Sequence, residues 1–375
     1  MGPGWRIGRL AGIDLAIHPS WLVIAFLVTY SLAEFQFPAL YRDWSTSEYW
    51  GVAVATAILF FGSVLAHEFS HALVARRLGL KVEGITLFIF GGATTIDEDS
   101  RTPREEALIA IAGPATSLLV GAVLIGGDLV IDQPQLAALL GWLGFINVLL
   151  GLFNLIPGFP MDGGRVLRAI LWRVRGDRLI ATRHAAIVGR AFAYLLIGAG
   201  VFLALRPGGS IFSGVWLALI GWFLSNAAEA TVAQAGVERS LRGVRVRDAM
   251  ETEPVTVSPN EPVEELVQER MLRGEDRSFL VSHDDGGLAG VVTIGDVRRL
   301  AREDWADARV TDIMTRYGEL STIGPDAPLV DALRLIQEKE IGQLPVVEGD
   351  ARRPLGIVTR RGILRLIEAR MKLGM

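Results

Sequence analysis

The chain has 375 residues, 51% of them apolar, and a formal net charge of −4. Its mean hydropathy is +0.38. Cysteine is absent, which excludes disulfides, thiolate nucleophiles, iron–sulfur clusters and Cys-ligated zinc and leaves His, Asp and Glu as metal ligands. The mildly acidic balance calls for no nucleic-acid partner.

These averages conceal a division. Up to Glu238, 33 of 238 residues are charged; from Arg239 onward, 45 of 137 are, and eight of the nine tryptophans lie in the first part. The chain therefore reads as a membrane domain, residues 1–238, followed by a charged soluble region.

Six apolar segments follow one another at roughly 20–36, 50–75, 107–131, 136–156, 185–205 and 213–234. Most are long enough to cross about 30 Å of hydrocarbon as a helix. The first resembles a secretory h-region in length, but no small-residue cleavage site follows it and five more segments do. Six spans place both termini on one side. The loops of that side carry thirteen Arg and Lys residues, from Arg6 to Arg183, whereas the opposite loops carry Arg42 and Arg206. The positive-inside rule puts both termini in the cytoplasm.

Between the second and third spans, Ile85–Phe90 is β-branched and aromatic, Gly91-Gly92 is a turn signal and Ala93–Ile96 suits a return strand. Such a hairpin either dips into a protein-lined cavity at membrane depth or sits as an ordinary cytoplasmic hairpin.

The second span ends in "VLAHEFSHALVA", residues 64–75. On a helix, His67 and His71 project from one face and can reach one ion, while Glu68 points about 100° away, beside a metal-bound water. A zinc ion brings that water's pKa to about 7, and a carboxylate can then carry its proton. Ionisable groups within a span are costly and mark function. Zinc needs a third protein ligand. His18, His184 and His283 fall at span ends or in a polar turn, so the better candidate is Asp162 in "FNLIPGFPMDGGR", 153–165. There Pro157 and Pro160 interrupt the fourth span and Gly163-Gly164 follow the carboxylate. From Trp50, taken as an interfacial anchor, to His67 is about 25 Å of helix rise, which sets the centre inside the membrane toward the cytoplasmic face.

His67-Glu68-Phe69-Ser70-His71 in one span, with Asn154, Pro157, Asp162 and Gly163 around the end of a later one, resembles the site-2 protease family of intramembrane zinc metalloproteases. The stretch "AGPATS" at 112–117 is similar to another signature of that family. The resemblance implies one Zn²⁺ on His67, His71 and Asp162, Glu68 as general base and Asn154 as an oxyanion stabiliser. It also implies single-span membrane proteins as substrates, cut within the lipid bilayer. A substrate helix must unwind to be cut, and the 85–96 hairpin offers a strand edge to receive it.

The soluble region holds a repeat. "VRDAMETEPVTVSPNEPVEELVQERM" at 246–271 parallels 310–336, and "LAGVVTIGDVRRL" at 288–300 parallels "PLGIVTRRGILRL" at 354–366. Each copy reads strand, helix, two short strands, helix, which divides the tail into 239–306 and 307–375. The pair resembles CBS domains. That resemblance implies an adenine nucleotide (ATP, ADP or AMP) at a strand-end T-x-x-D, complete as Thr293 and Asp296 in the first copy. In the second copy Thr359 is followed by Arg360, Arg361 and Gly362, and an arginine there suits phosphate. It also allows a homodimer through these domains, or a docking module without ligand. The expected fold is thus an α-helical polytopic membrane domain of six transmembrane helices with a short membrane-associated β-hairpin, followed by an α/β CBS pair. Two rival functions are a CBS-regulated membrane transporter or channel, which leaves the grouping of His67, Glu68, His71 and Asp162 unexplained, and an inactive nucleotide-sensing relative.

Overall fold

Helix-forming signals in the first two-thirds of the chain sit where the apolar segments begin and end. The computed structural model describes residues 4–89, 91–96, 100–273, 278–283, 285–349 and 353–373, and it divides into two compact units, Met1–Ala235 and Gly236–Met375.

Among the described residues, the membrane part has seven helices: α1 (Ser20–Leu40), α2 (Thr46–Arg77), α3 (Pro103–Asp128), α4 (Pro134–Asn154), α5 (Asp162–Arg175), α6 (Arg178–Leu205) and α7 (Ile211–Leu241), the last of which continues past Ala235 into the second unit. All but α5 are long and apolar enough to cross a membrane. The start of α2 is set by a capping box, in which Glu48 N–H donates to Ser45 Oγ and Ser45 N–H donates to the Glu48 carboxylate. Arg76 and Arg77 in its last turn complement the helix dipole, and Gly79 at φ +84° follows the turn that ends it. Thr102 caps α3 and Asp177 caps α6 through one bond each, their side-chain oxygens accepting from Glu105 N–H and Ile180 N–H. Pro103 and Pro134 occupy first-turn positions of α3 and α4, where their missing N–H costs nothing.

A four-stranded sheet lies against α2, in the order β1 (Trp5–Leu10), β2 (Ile13–Ile17), β3 (Val82–Phe88), β4 (Gly91–Ile96). The expected hairpin is β3–β4, antiparallel; β2 adds to it in parallel and β1 closes the far edge. Ile13 and Ile85 are buried against Ala72, with Leu65 and Phe69 of α2 packed beside them. Gly91 and Gly92 are not the turn. They pair with Phe88 and Leu87 as the first residues of β4, and Ile89 is a turn residue, while Phe90 lies outside the described residues.

The second unit holds β5 (Thr256–Val257), β6 (Ser278–Ser282), β7 (Leu288–Thr293) and β8 (Thr315–Arg316) in one sheet, and β9 (Gln343–Glu348) with β10 (Arg353–Thr359) in another. Its two largest cores do not follow the sequence repeat. Leu241, Val244 and Val246 pack with Leu329, Ile336, Leu344 and Ile363, whereas Val310 packs with Val263, Leu266 and Phe279. Each repeat thus lends its leading segment to the other, and β8, within the leading segment of the second repeat, pairs with β7 of the first. Leu329, Leu344 and Ile363 are fully buried, each contributing about 1.5–3 kcal/mol through the water its side chain leaves.

Candidate metal centre and nucleotide site

His67 and His71 stand on one face of α2, both 4% exposed. Asp162 opens α5, after a loop at 155–161 that holds Pro157 and Pro160. Gly163 and Gly164 admit the sharp return of the chain there: a Cβ at 163 would lie 2.3 Å from the Leu155 and Ile156 carbonyl oxygens, and one at 164 would lie 2.4 Å from Gly158. The glycines therefore serve the backbone turn rather than space around the carboxylate.

The donor atoms of the three residues converge. His67 Nε2 and His71 Nε2 are 3.2 Å apart, and each is 3.2 Å from Asp162 Oδ2. Three ligands of a tetrahedral zinc at about 2.0–2.1 Å would be separated by about 3.3 Å, so this triangle has the dimensions of one face of that polyhedron. Its chemistry matches too: two imidazoles and one carboxylate, a donor set suited to zinc.

The far side of each imidazole is held by α3. His71 Nδ1 donates to the Ile109 carbonyl at 2.7 Å. A carbonyl only accepts, so the proton resides on Nδ1 and the Nε2 lone pair faces the triangle. His67 Nδ1 lies 2.9 Å from Ser117 Oγ, which accepts in the tautomer that frees Nε2. Between them Gly113 supplies room: a Cβ there would fall 2.3 Å from His71 Nε2 and 2.5 Å from His67 Nε2. Gly113 and Ser117 account for the "AGPATS" stretch.

Glu68 lies beside the triangle and is half-buried. Its Oε2 accepts from Thr94 Oγ1 of β4 at 2.8 Å. A Cβ at Gly92 would approach Glu68 Cγ to 2.3 Å, so β4 crosses directly over this carboxylate, and its outer edge is unpaired among the described residues.

Asn154, the last residue of α4, donates Nδ2–H to the Leu150 carbonyl at 3.0 Å. In this arrangement its amide serves its own helix. His18 bonds Ser20, and His184 bonds Ile180 and Arg175, as expected of residues outside a metal site. His283 sits in the turn after β6, its N–H donating to the Gly287 carbonyl.

In the second unit, Thr293 and Asp296 form a capping box on the helix Ile294–Val297, with Thr293 Oγ1–H donating to Asp296 Oδ2 at 2.7 Å. Thr359 caps the helix Arg360–Lys372, accepting from Gly362 N–H at 3.0 Å. The second copy therefore keeps the cap and lacks the carboxylate. Strand neighbours of the two threonines, Ser278 and Gln343, are hydrogen-bonded to one another, which brings the two strand ends to a common region. Arg360 and Arg361 are exposed.

Family profiles agree with both units. Peptidase family M50 matches residues 55–132 and 127–198, and the CBS domain matches 246–303 and 310–369. The chain is 38% identical over 367 residues to Rip3 of Mycobacterium tuberculosis, a protein with a provisional zinc-metalloprotease designation, covering 96% of this chain and 92% of that one. It is 30% identical over 363 residues to the zinc metalloprotease MJ0392 of Methanocaldococcus jannaschii, covering 96% and 95%. A solved site-2 protease from Methanocaldococcus jannaschii aligns with 61% of this chain and 95% of its own at 30% identity, with a TM-score of 0.43. The chain is an integral membrane protein that belongs to the site-2 proteases of Peptidase family M50 and carries a CBS domain pair.

Proposed function

We propose that the protein is an intramembrane zinc endopeptidase that cleaves the transmembrane segments of single-span membrane proteins. The observation that carries this reading is the 3.2 Å triangle of His67, His71 and Asp162 donors with Glu68 beside it on the same helix. Those three residues would hold one Zn²⁺. When bound, zinc supplies Lewis acidity and a coordinated water acidified to a pKa of about 7.

Everything else falls to the chain itself. Glu68 takes the proton of the attacking water and returns it to the leaving amine, while Thr94 keeps the carboxylate oriented. The outer edge of β4, unpaired among the described residues, receives an unwound substrate segment as an added strand, satisfying its backbone where lipid cannot. Asn154 stabilises charge on the carbonyl oxygen after releasing the Leu150 carbonyl.

The basic loops support cytoplasmic termini, and with them a cytoplasmic CBS pair. The membrane domain takes residues 1–238 and the CBS copies 239–306 and 307–375. We assign an adenine nucleotide to Thr293, Asp296, Thr359 and Arg360, with Asp296 on the ribose hydroxyls and Arg360 on phosphate, as a regulator of cleavage; pairing of two chains through these domains is part of the same reading.

The test is cleavage of a single-span substrate by the detergent-purified protein beside Glu68→Gln. Cleavage by the wild type that is lost in Glu68→Gln, with zinc retained, supports the assignment. Equal cleavage by both removes Glu68 from the mechanism.

A further inference from the structure

One stripe of α3 holds both histidines of the metal centre and the helix that carries Asp162. Glu106, Ile109, Gly113 and Ser117 are spaced by three, four and four residues, which aligns them on one face. Ile109 holds His71, Ser117 holds His67 and Gly113 makes room for both. The remaining member, Glu106, is 1% exposed and faces α5. Its Oε1 accepts from Arg165 Nε at 3.0 Å and from Arg168 Nη2.

The arginines occupy successive turns of α5, and Asp162 lies one turn before Arg165 on the same side. Seating both guanidiniums on Glu106 sets the height and rotation of α5, and so the place where Asp162 Oδ2 meets the imidazoles. Arg168 also lies over the Phe159 ring, 5.2 Å from its centroid, which ties in the loop that leads to Asp162. A carboxylate this buried is retained only when paired, and its pairing joins the helix that orients both histidines to the one that presents the third ligand.

We propose that Glu106 is a positioning residue for the metal centre, an ionic latch that fixes Asp162 relative to His67 and His71 through Arg165 and Arg168. This rests on the zinc reading of the triangle. It predicts that metal affinity, not only stability, depends on a residue that touches no metal ligand.

The experiment is zinc affinity of the full-length, detergent-purified protein, by competition with a chromophoric chelator, for wild type, Glu106→Gln, Glu106→Asp and Arg165→Gln. Glu229→Gln, which breaks the exposed pair of Glu229 with Arg190 in the same unit, is the control. Visible spectra of the cobalt-loaded forms report ligand geometry. The latch predicts a 10–100-fold loss of affinity in Glu106→Gln and Arg165→Gln, the range found when groups orienting metal ligands are removed. It further predicts an altered cobalt spectrum, partial recovery in Glu106→Asp, and no change in Glu229→Gln. Arg165→Gln leaves Glu106 paired with Arg168, so it decides the matter if Glu106→Gln does not fold. Wild-type affinity and spectrum in a folded Arg165→Gln overturn the latch alone. Absence of zinc from the wild type overturns the reading beneath it.

Discussion

Gly113→Ala sets two physical rules against each other. In a helix interior, replacing glycine with alanine should stabilise by about 0.5–1 kcal/mol, because alanine has less conformational freedom to lose. At this position the new Cβ would stand 2.3 Å from His71 Nε2, 2.5 Å from His67 Nε2 and 2.6 Å from His71 Cε1. Ordinary contact needs about 3.5 Å, so one or both imidazoles must retreat by about 1 Å. Metal–ligand distances tolerate about 0.2 Å, and at least one histidine is lost to the ion. The imidazoles cannot simply slide, because Ile109 and Ser117 hold their other nitrogens. The expected outcome is a folded protein whose zinc affinity falls at least 100-fold and whose proteolysis is abolished. Metal analysis with chelator competition measures the first and cleavage of a single-span substrate the second, with thermal unfolding of the metal-free forms as the reference for folding. Stoichiometric zinc at wild-type affinity in Gly113→Ala would refute the reasoning.

Three further outcomes follow from the same contacts. Ser117→Ala removes the partner of His67 Nδ1 and should weaken zinc binding 10–100-fold, read by the same competition assay. Gly92→Ala drives a methyl group against Glu68 Cγ; turnover should fall at least tenfold while zinc content stays at the wild-type level, so a loss of metal would count against a role through Glu68. Asp296→Ala removes the carboxylate assigned to the ribose and should abolish binding of AMP or ATP by calorimetry, whereas unchanged binding would move the ligand elsewhere.

The two metal motifs were legible because chemistry-bearing side chains are costly inside an apolar span: His67, Glu68, His71 and Asp162 stand out against their surroundings. The helix that organises them was not. Ile109 acts through its backbone carbonyl and Gly113 through the absence of a side chain, and neither function leaves a residue type that points to metal. Glu106 reads as an ordinary acidic residue in a helix first turn until α5 is seen to cover it. The strand β1 gave no signal because "WRIGRL" has no burial pattern; every residue of β1 is exposed. Gly91-Gly92 has the look of a hairpin turn, yet Gly92 is needed where β4 passes over Glu68. In the CBS pair, the repeat was plain from sequence, but the exchange of leading segments depends on packing between copies that are equivalent in pattern.

The central claim is that two motifs about 90 residues apart in sequence make one zinc site, and metal content tests it most directly. The detergent-purified wild type, His67→Ala and Asp162→Ala should be compared under identical conditions. The account predicts about one zinc per wild-type chain, lost or strongly weakened in both variants. Zinc that disappears in His67→Ala but stays unchanged in Asp162→Ala would contradict it and place the third ligand elsewhere.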